Sequence, residues 1–163
     1  MNLNSFEDLL THKLRELYDA ETQFAEAQPK LAAAAGDEEL RVALEAHVEV
    51  TKGQIERLVQ LGDMLGVTLE GETCEAAKAL VKEGQKIVRA EGDPFVKDAA
   101  LIAAAQAIEH FEIAGYGTAS AYVRRLGNKD MERLLQQTLA EERGADTLLT
   151  EIAETSINLQ AAS

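Results

Sequence analysis

The chain has 163 residues, 46% hydrophobic and 28% charged, with 16 Lys and Arg against 29 Asp and Glu, giving a formal net charge of −13. That length suits one domain over residues 1–163 with a sizeable core. The acidic balance argues against a nucleic-acid partner, whose phosphates it would repel, and the lone Cys74 excludes a disulfide scaffold. No apolar run approaches the roughly 18 residues of a membrane span. The opening MNLNSFEDLL lacks a basic region followed by an apolar stretch, so a cytoplasmic protein without a membrane partner is expected.

Alanine, leucine and glutamate dominate, which favours helix, and no segment alternates long enough for a strand. Breaks at Gly36-Asp37, Gly66 to Gly71, Gly92-Asp93-Pro94 and Gly127-Asn128 predict five helices, over about 4–35, 37–66, 72–91, 94–126 and 128–156. Asn4 or Ser5 can cap the first, Asp37 the second and Asp93 the fourth, where Pro94 takes the favoured first helical position. Pro29 falls inside the first segment and should kink or end it. The tail after Ile157 is expected to fray.

Four long helices and a short one predict an all-α four-helix bundle. Each long segment carries a seam of 3-and-4 spacing. The first reads Leu10, Leu14, Leu17, Glu21, Phe24, Gln28, Leu31, and the second Leu40, Leu44, His47, Thr51, Gln54, Leu58, Leu61, Leu65. The fourth reads Ile102, Ala105, Glu109, Glu112, Tyr116, Ala119, Val123, Leu126, and the fifth Met131, Leu135, Thr138, Glu142, Ala145, Leu149, Ile152. Every seam is apolar at its ends and polar in its middle. Glu21 and Thr51 stand 15 residues either side of Gly36, and Glu112 and Glu142 stand 15 either side of Gly127. Residues equidistant from the turn of an antiparallel hairpin lie side by side, so both hairpins should set their polar residues at one level. The two hairpins read as a diverged repeat, with the third segment as the crossover between them.

A carboxylate in an apolar seam must be paired, protonated or bound to metal. A single seam glutamate is commonly protonated or solvated; Glu21, Glu109, Glu112 and Glu142 converging with His47 are harder to dismiss. No seam Lys or Arg is available to neutralise them. A divalent cation, or a pair, would resolve the problem, and oxygen and imidazole ligands suit iron or manganese, with zinc also possible. Asp146, just off the seam, is a ligand, an orienter of His47 or a surface residue. Thr51 and Gln54 can hydrogen-bond but are poor iron ligands. Tyr116 either fills core or hydrogen-bonds a ligand. His12 and His110 lie off the seams, where surface placement is the default. Cys74 reads as a buried small hydrophobe on the stripe Cys74, Ala77, Val81, Gly84, Val88, and Gly115 and Gly117 as points of close helix approach.

The stretches LRELYDAETQ (14–23), HVEVTKGQIERL (47–58), TCEAAKALVKEG (73–84), DPFVKDAALIAAAQAIEHFEIAGYGTA (93–119) and LLQQTLAEERGADTLLTEIA (134–153) cover nearly the whole chain. In them the sequence resembles the YciE/YciF family of bacterial ferritin-like stress proteins. The resemblance implies a ferritin-like bundle of two antiparallel hairpins with an extra short helix in the crossover, a homodimer, a metal site in the bundle and expression under stress, without an assigned reaction. Carried over, Glu21 is the first-helix glutamate, His47 the offer of the second helix, Glu109 and Glu112 those of the third bundle helix, and Glu142 with Asp146 those of the fourth. Broader ferritin-like proteins usually carry Glu-x-x-His on the second and fourth bundle helices, where this chain has Thr51-x-x-Gln54 and Glu142-x-x-Ala145. The expected function is metal binding, with two iron ions foremost, and oxidase or peroxide-detoxifying chemistry. The alternative is a non-catalytic structural or interaction protein whose buried polar layer fixes bundle register.

Overall fold

The structure, a computed structural model, describes residues 3–163. Five helices follow in order: α1 Phe6–Ala34, α2 Glu38–Leu65, α3 Glu75–Val88, α4 Pro94–Leu126 and α5 Lys129–Ile152. A π-helical turn, Ala153–Ile157, and a short α6, Asn158–Ala161, complete the chain. Among the described residues there is no strand, and no helix is long and apolar enough to cross a membrane.

The helix starts are chemically specified. Ser5 accepts from the Asp8 amide while the Asp8 side chain accepts from the Ser5 amide, a reciprocal box that satisfies two otherwise unpaired donors. Asp37 caps α2 through the Leu40 amide, and Asp93 caps α4 through the amides of Phe95 and Val96. Gly66 and Gly127 stop α2 and α4 at φ of 67° and 80°, the left-handed conformation that glycine adopts without steric cost.

Two expectations about the helices need correction and a third is narrowed. Of the two effects expected of Pro29, an end to the helix does not occur, since α1 runs on to Ala34 close to the expected bound; Pro29 is exposed, so water can serve the carbonyl its ring leaves unpaired. Helix α3 is shorter than 72–91, because Cys74 caps it, its sulfur accepting from the Ala77 amide 3.4 Å away. The Cys74 amide donates to Asp19 at 2.7 Å, which ties the preceding loop to α1. The tail stays helical beyond Ile157. An i→i+5 turn re-phases the helix so that Ile152, Ala153 and Ile157 are all buried.

Helices α1 and α2 form one antiparallel hairpin, and α4 and α5 the other. Across the hairpins α1 packs on α4 and α2 on α5. Both cross pairs are antiparallel: Leu17 meets Gly115 while Gly36 meets Asp98, and Gln54 reaches Glu142 while Arg57 reaches Thr138. Helix α3 lies against α1 and α4, with Gly84 beside Leu31 and the Val88 carbonyl accepting from Lys97. The buried Asp98 carboxylate accepts from the amides of Gly36 and Asp37, both at 2.8 Å, and so anchors the α1–α2 turn to the start of α4.

The core divides into two apolar clusters. One holds Phe24, Leu31, Leu40, Leu44, Leu101, Ile102, Ile108, Leu149 and Ile152. The other holds Leu10, Leu14, Leu17, Leu58, Leu61, Val123, Met131 and Leu135. Of the two glycines expected at close approaches, only Gly115 is at one. A Cβ there would come 2.6 Å from Leu17 Cδ2, whereas a Cβ at Gly117 would meet nothing within 4 Å. Gly115→Ala is therefore expected to cost about 1–3 kcal/mol by overpacking. Gly117→Ala is expected to be neutral or to stabilise by up to about 1 kcal/mol through helix propensity. Denaturant unfolding of the two variants checks the contrast, and equal effects would contradict the packing at Leu17.

Candidate metal centre

Between the two apolar clusters the seams turn polar. Glu21 comes from α1, His47 and Gln54 from α2, Glu109 and Glu112 from α4, and Glu142 from α5. All four glutamates and Gln54 are buried, and the His47 side chain is only 12% exposed. The His47 Nε2 atom lies 3.5 Å from Glu109 Oε1 and 3.7 Å from Glu142 Oε2. One ligand atom from each of His47, Glu109, Glu112 and Glu142 lies within 4.8 Å of the others, so this cluster could hold a metal ion. Glu21 completes the layer, its Oε1 accepting from the Tyr116 hydroxyl at 2.5 Å.

The bonding of this layer is incomplete. Among the described residues, every buried side-chain N or O atom without a hydrogen-bond partner belongs to it: Glu21 Oε2, His47 Nε2, Gln54 Oε1, Glu109 Oε2, both Glu112 oxygens and Glu142 Oε2. Elsewhere the polar core is satisfied, as a stable fold demands. Unpartnered ligand atoms gathered in one layer and rich in carboxylate oxygen fit a hard or borderline divalent cation.

The electrostatics point the same way. Burial, reinforced by the charge of Glu142, pushes Glu21 from its ordinary 4.5 up to about 8. Burial and then Glu142 push Glu109 up to about 11. Glu112 is raised well above the carboxylate range by burial and then by the charges of Glu21, Glu142 and Glu109. Burial also holds His47 below its usual value, so its imidazole is disposed to stay neutral with a lone pair to offer. With no cation present, the layer avoids mutual repulsion by keeping protons. A metal ion would displace them.

A surrounding set of hydrogen bonds holds the layer in place. Gln54 donates to Glu142 and, at 3.3 Å, to Glu141, whose carboxylate is paired with Arg57. Arg57 also donates to Thr138 at 3.0 Å. The seams do lack Lys and Arg, but Arg57, one step off the α2 seam, is held against Glu141 at the edge of the layer. Neither Arg57 nor Glu141 stands out in the sequence, since both fall on positions that the seam spacing assigns to the surface.

The structure places two residues apart from the converging ligands. Thr51 does not sit beside Glu21; its hydroxyl donates to Gln28 at 3.0 Å, about two helical turns nearer the hairpin turn. Side chains lean toward the N-terminus of their own helix, so those of α1 lean away from the turn and those of α2 toward it, which offsets the pairs that meet. Asp146 does not join the converging ligand atoms. It accepts from Gln106 at 2.9 Å and lies 3.5 Å from His110, although its charge adds to the pressure on Glu109. His110 is exposed and bonds the Gln106 carbonyl of its own helix, and His12 pairs with Glu72 at 2.8 Å. Cys74 is buried, as its apolar stripe implies, with its thiol pushed up by burial.

Comparison with known proteins extends the picture. Residues 5–162 match the family described as a domain of unknown function, DUF892. Protein YciF of Escherichia coli strain K12 is 40% identical over 162 residues, 99% of this chain and 98% of its own length. The crystal structure of the E. coli stress protein YciF superposes with a TM-score of 0.92 at 39% identity, over 96% of this chain and 99% of that one. YcfI from Rhodopseudomonas palustris, provisionally named a structural protein, gives 0.87 at 42% identity over 91% and 95%. A Xanthomonas campestris protein shares the fold alone, at 0.77 with 19% identity over 97% of each chain. Matched over nearly its entire length by both sequence and structure, the chain belongs to the DUF892 family, and with it to the YciE/YciF proteins its motifs resemble.

Proposed function

We propose that the protein binds two divalent metal ions, iron foremost, in the polar layer at the centre of its bundle. The observation that carries this reading is the set of unpartnered buried atoms on Glu21, His47, Glu109, Glu112 and Glu142. Charge supports it as well: four carboxylates balance two divalent ions, which leaves a neutral layer inside the core. With both ions bound, the formal charge of the chain becomes −13 + 4 = −9.

Bound ferrous ions would supply electrons for the reduction of dioxygen or peroxide, the oxidase or peroxide-detoxifying chemistry proposed for this protein. The chain's own residues have definable parts in it. His47 and the four glutamates would hold the ions, Tyr116 orients Glu21, and Gln54 orients Glu142. The protons that Glu21, Glu109 and Glu112 retain without metal would leave as the ions enter. We also propose the homodimer and the stress association that the family resemblance implies.

The competing reading is a non-catalytic structural protein, the role provisionally given to the R. palustris relative. The two differ in metal content. Protein purified from iron-supplemented cells is expected to carry roughly two ions per chain. The shape-conserving double variant Glu21→Gln/Glu112→Gln is expected to carry almost none while remaining helical by circular dichroism. Substoichiometric metal that the variant does not change would favour the structural reading.

The pH dependence of stability gives a second check. Glu21 has its folded value raised from 4.5 to about 8, so the folded chain keeps a proton that the unfolded chain releases. That contribution is fully present below pH 4.5 and is lost as pH rises through about 8, with Glu109 extending the loss to about 11. The melting temperature of metal-free protein is therefore expected to fall as pH rises from about 5 to 8. Ferrous or zinc ions should raise the melting temperature most at the upper end of that range, because metal binding there displaces fewer protons. A profile that metal does not alter at any pH would contradict the reading.

A further inference from the structure

A cavity of about 230 Å³ opens between α2 and α5 and reaches the polar layer from one side. It exists because the two helices face each other there with small residues, Ala46 on α2 and Gly144 and Ala145 on α5. A Cβ built on Gly144 would meet nothing within 4 Å. The walls are apolar, formed by Leu44, Val50, Leu148 and Leu149, and Leu148 at the rim is 42% exposed. The inner end is polar: His47 and Glu109 line it, with side chains only 12% and 4% exposed. Their unpartnered Nε2 and Oε2 atoms are themselves fully buried just behind this end.

We infer that this cavity is a binding site for a small neutral organic molecule, about the size of one six-membered ring with a short substituent, that places a hydroxyl-type oxygen against His47 and Glu109. Size, wall chemistry and charge each narrow the class. An apolar protein cavity of about 150 Å³ takes up benzene, so this one has room for a ring and a substituent. The walls reward burial of hydrocarbon and offer nothing to replace the hydration of a charged group. An anion would also face the Glu141 carboxylate at the edge of the cavity, and an organic cation would compete with the metal for the carboxylates of the layer. A neutral molecule with one oxygen avoids each of these costs and sets that oxygen against the end of the cavity that His47 and Glu109 line. The inference deepens the proposed function and rests on it for its purpose, since the oxygen would lie beside the metal layer. The cavity itself is present in the chain without metal.

The test uses the full-length protein and three probes of matched shape: benzyl alcohol, benzoate and benzylamine. Binding is measured by calorimetry and by methyl NMR of leucine-labelled protein, with and without zinc. Benzyl alcohol is expected to bind saturably, to shift the Leu44 and Leu149 methyls, and to bind more tightly than either charged probe. Ala46→Trp and Gly144→Leu fill the cavity from positions exposed to solvent, and each is expected to weaken binding by about tenfold or more. Both should leave metal stoichiometry unchanged. No saturable shift, a shift that neither variant affects, or tighter binding of a charged probe would overturn the inference. So would a dimer, detected by sedimentation, that excludes the probe and is broken by Ala46→Trp, since the occupant would then be a second copy of the chain. Metal uptake with no probe binding removes this inference alone. Probe binding with no metal uptake leaves the cavity assignment standing and removes the proposed metal function.

Discussion

Four glutamates buried at one level of a helical bundle are the constraint on which the rest of this structure depends. Glu21, Glu109, Glu112 and Glu142 lie in a core where a lone carboxylate charge costs several kcal/mol or more. The apolar clusters on either side hold the helices together well enough to enforce that burial. Leu10, Leu14 and Leu135 are fully inaccessible on one side, as are Phe24, Leu40 and Leu101 on the other. The carboxylates cannot reach water without disturbing these packed layers, so protons or a cation must satisfy them.

The same constraint accounts for the polar groups nearby. Tyr116 places its hydroxyl on Glu21, and Gln54 gives its amide to Glu142. Arg57 approaches but is held at the edge by Glu141, so it leaves the central carboxylates unneutralised. If Arg57 stood in the seam, the layer would be a salt-bridge network with no need of an ion. Its place one step off the seam leaves the central oxygens unpaired while the ligands stay held by their neighbours. The cavity between α2 and α5 belongs to the same arrangement, since Ala46, Gly144 and Ala145 leave open the side of the layer where His47 stands.

Much of this was legible in the chain itself. The five helices follow from Gly36, Gly66, Gly92 and Gly127 and from caps at Ser5, Asp37 and Asp93, because caps and stops act within a few residues. The central glutamates follow from seam spacing, because helical period decides which face a residue occupies. Asp146 was harder to place. One turn beyond Glu142, a few degrees of rotation decide between the layer and Gln106, and periodicity does not resolve so small an angle. The tail after Ile157 departs from the local pattern for a related reason: the π turn that re-phases it brings Ile157 into the apolar cluster, a contact no local preference specifies.

The sequence by itself determined the helices, their pairing into hairpins and the presence of carboxylates in the interior, since each depends on spacing along one chain. Only the tertiary structure decided which donors converge, because that depends on the offset and rotation between helices. It set Thr51 against Gln28 in place of Glu21, turned Asp146 toward Gln106, and drew Arg57 to Glu141. It also left the gap beside His47, because a cavity is a property of two facing surfaces and neither helix contains it alone.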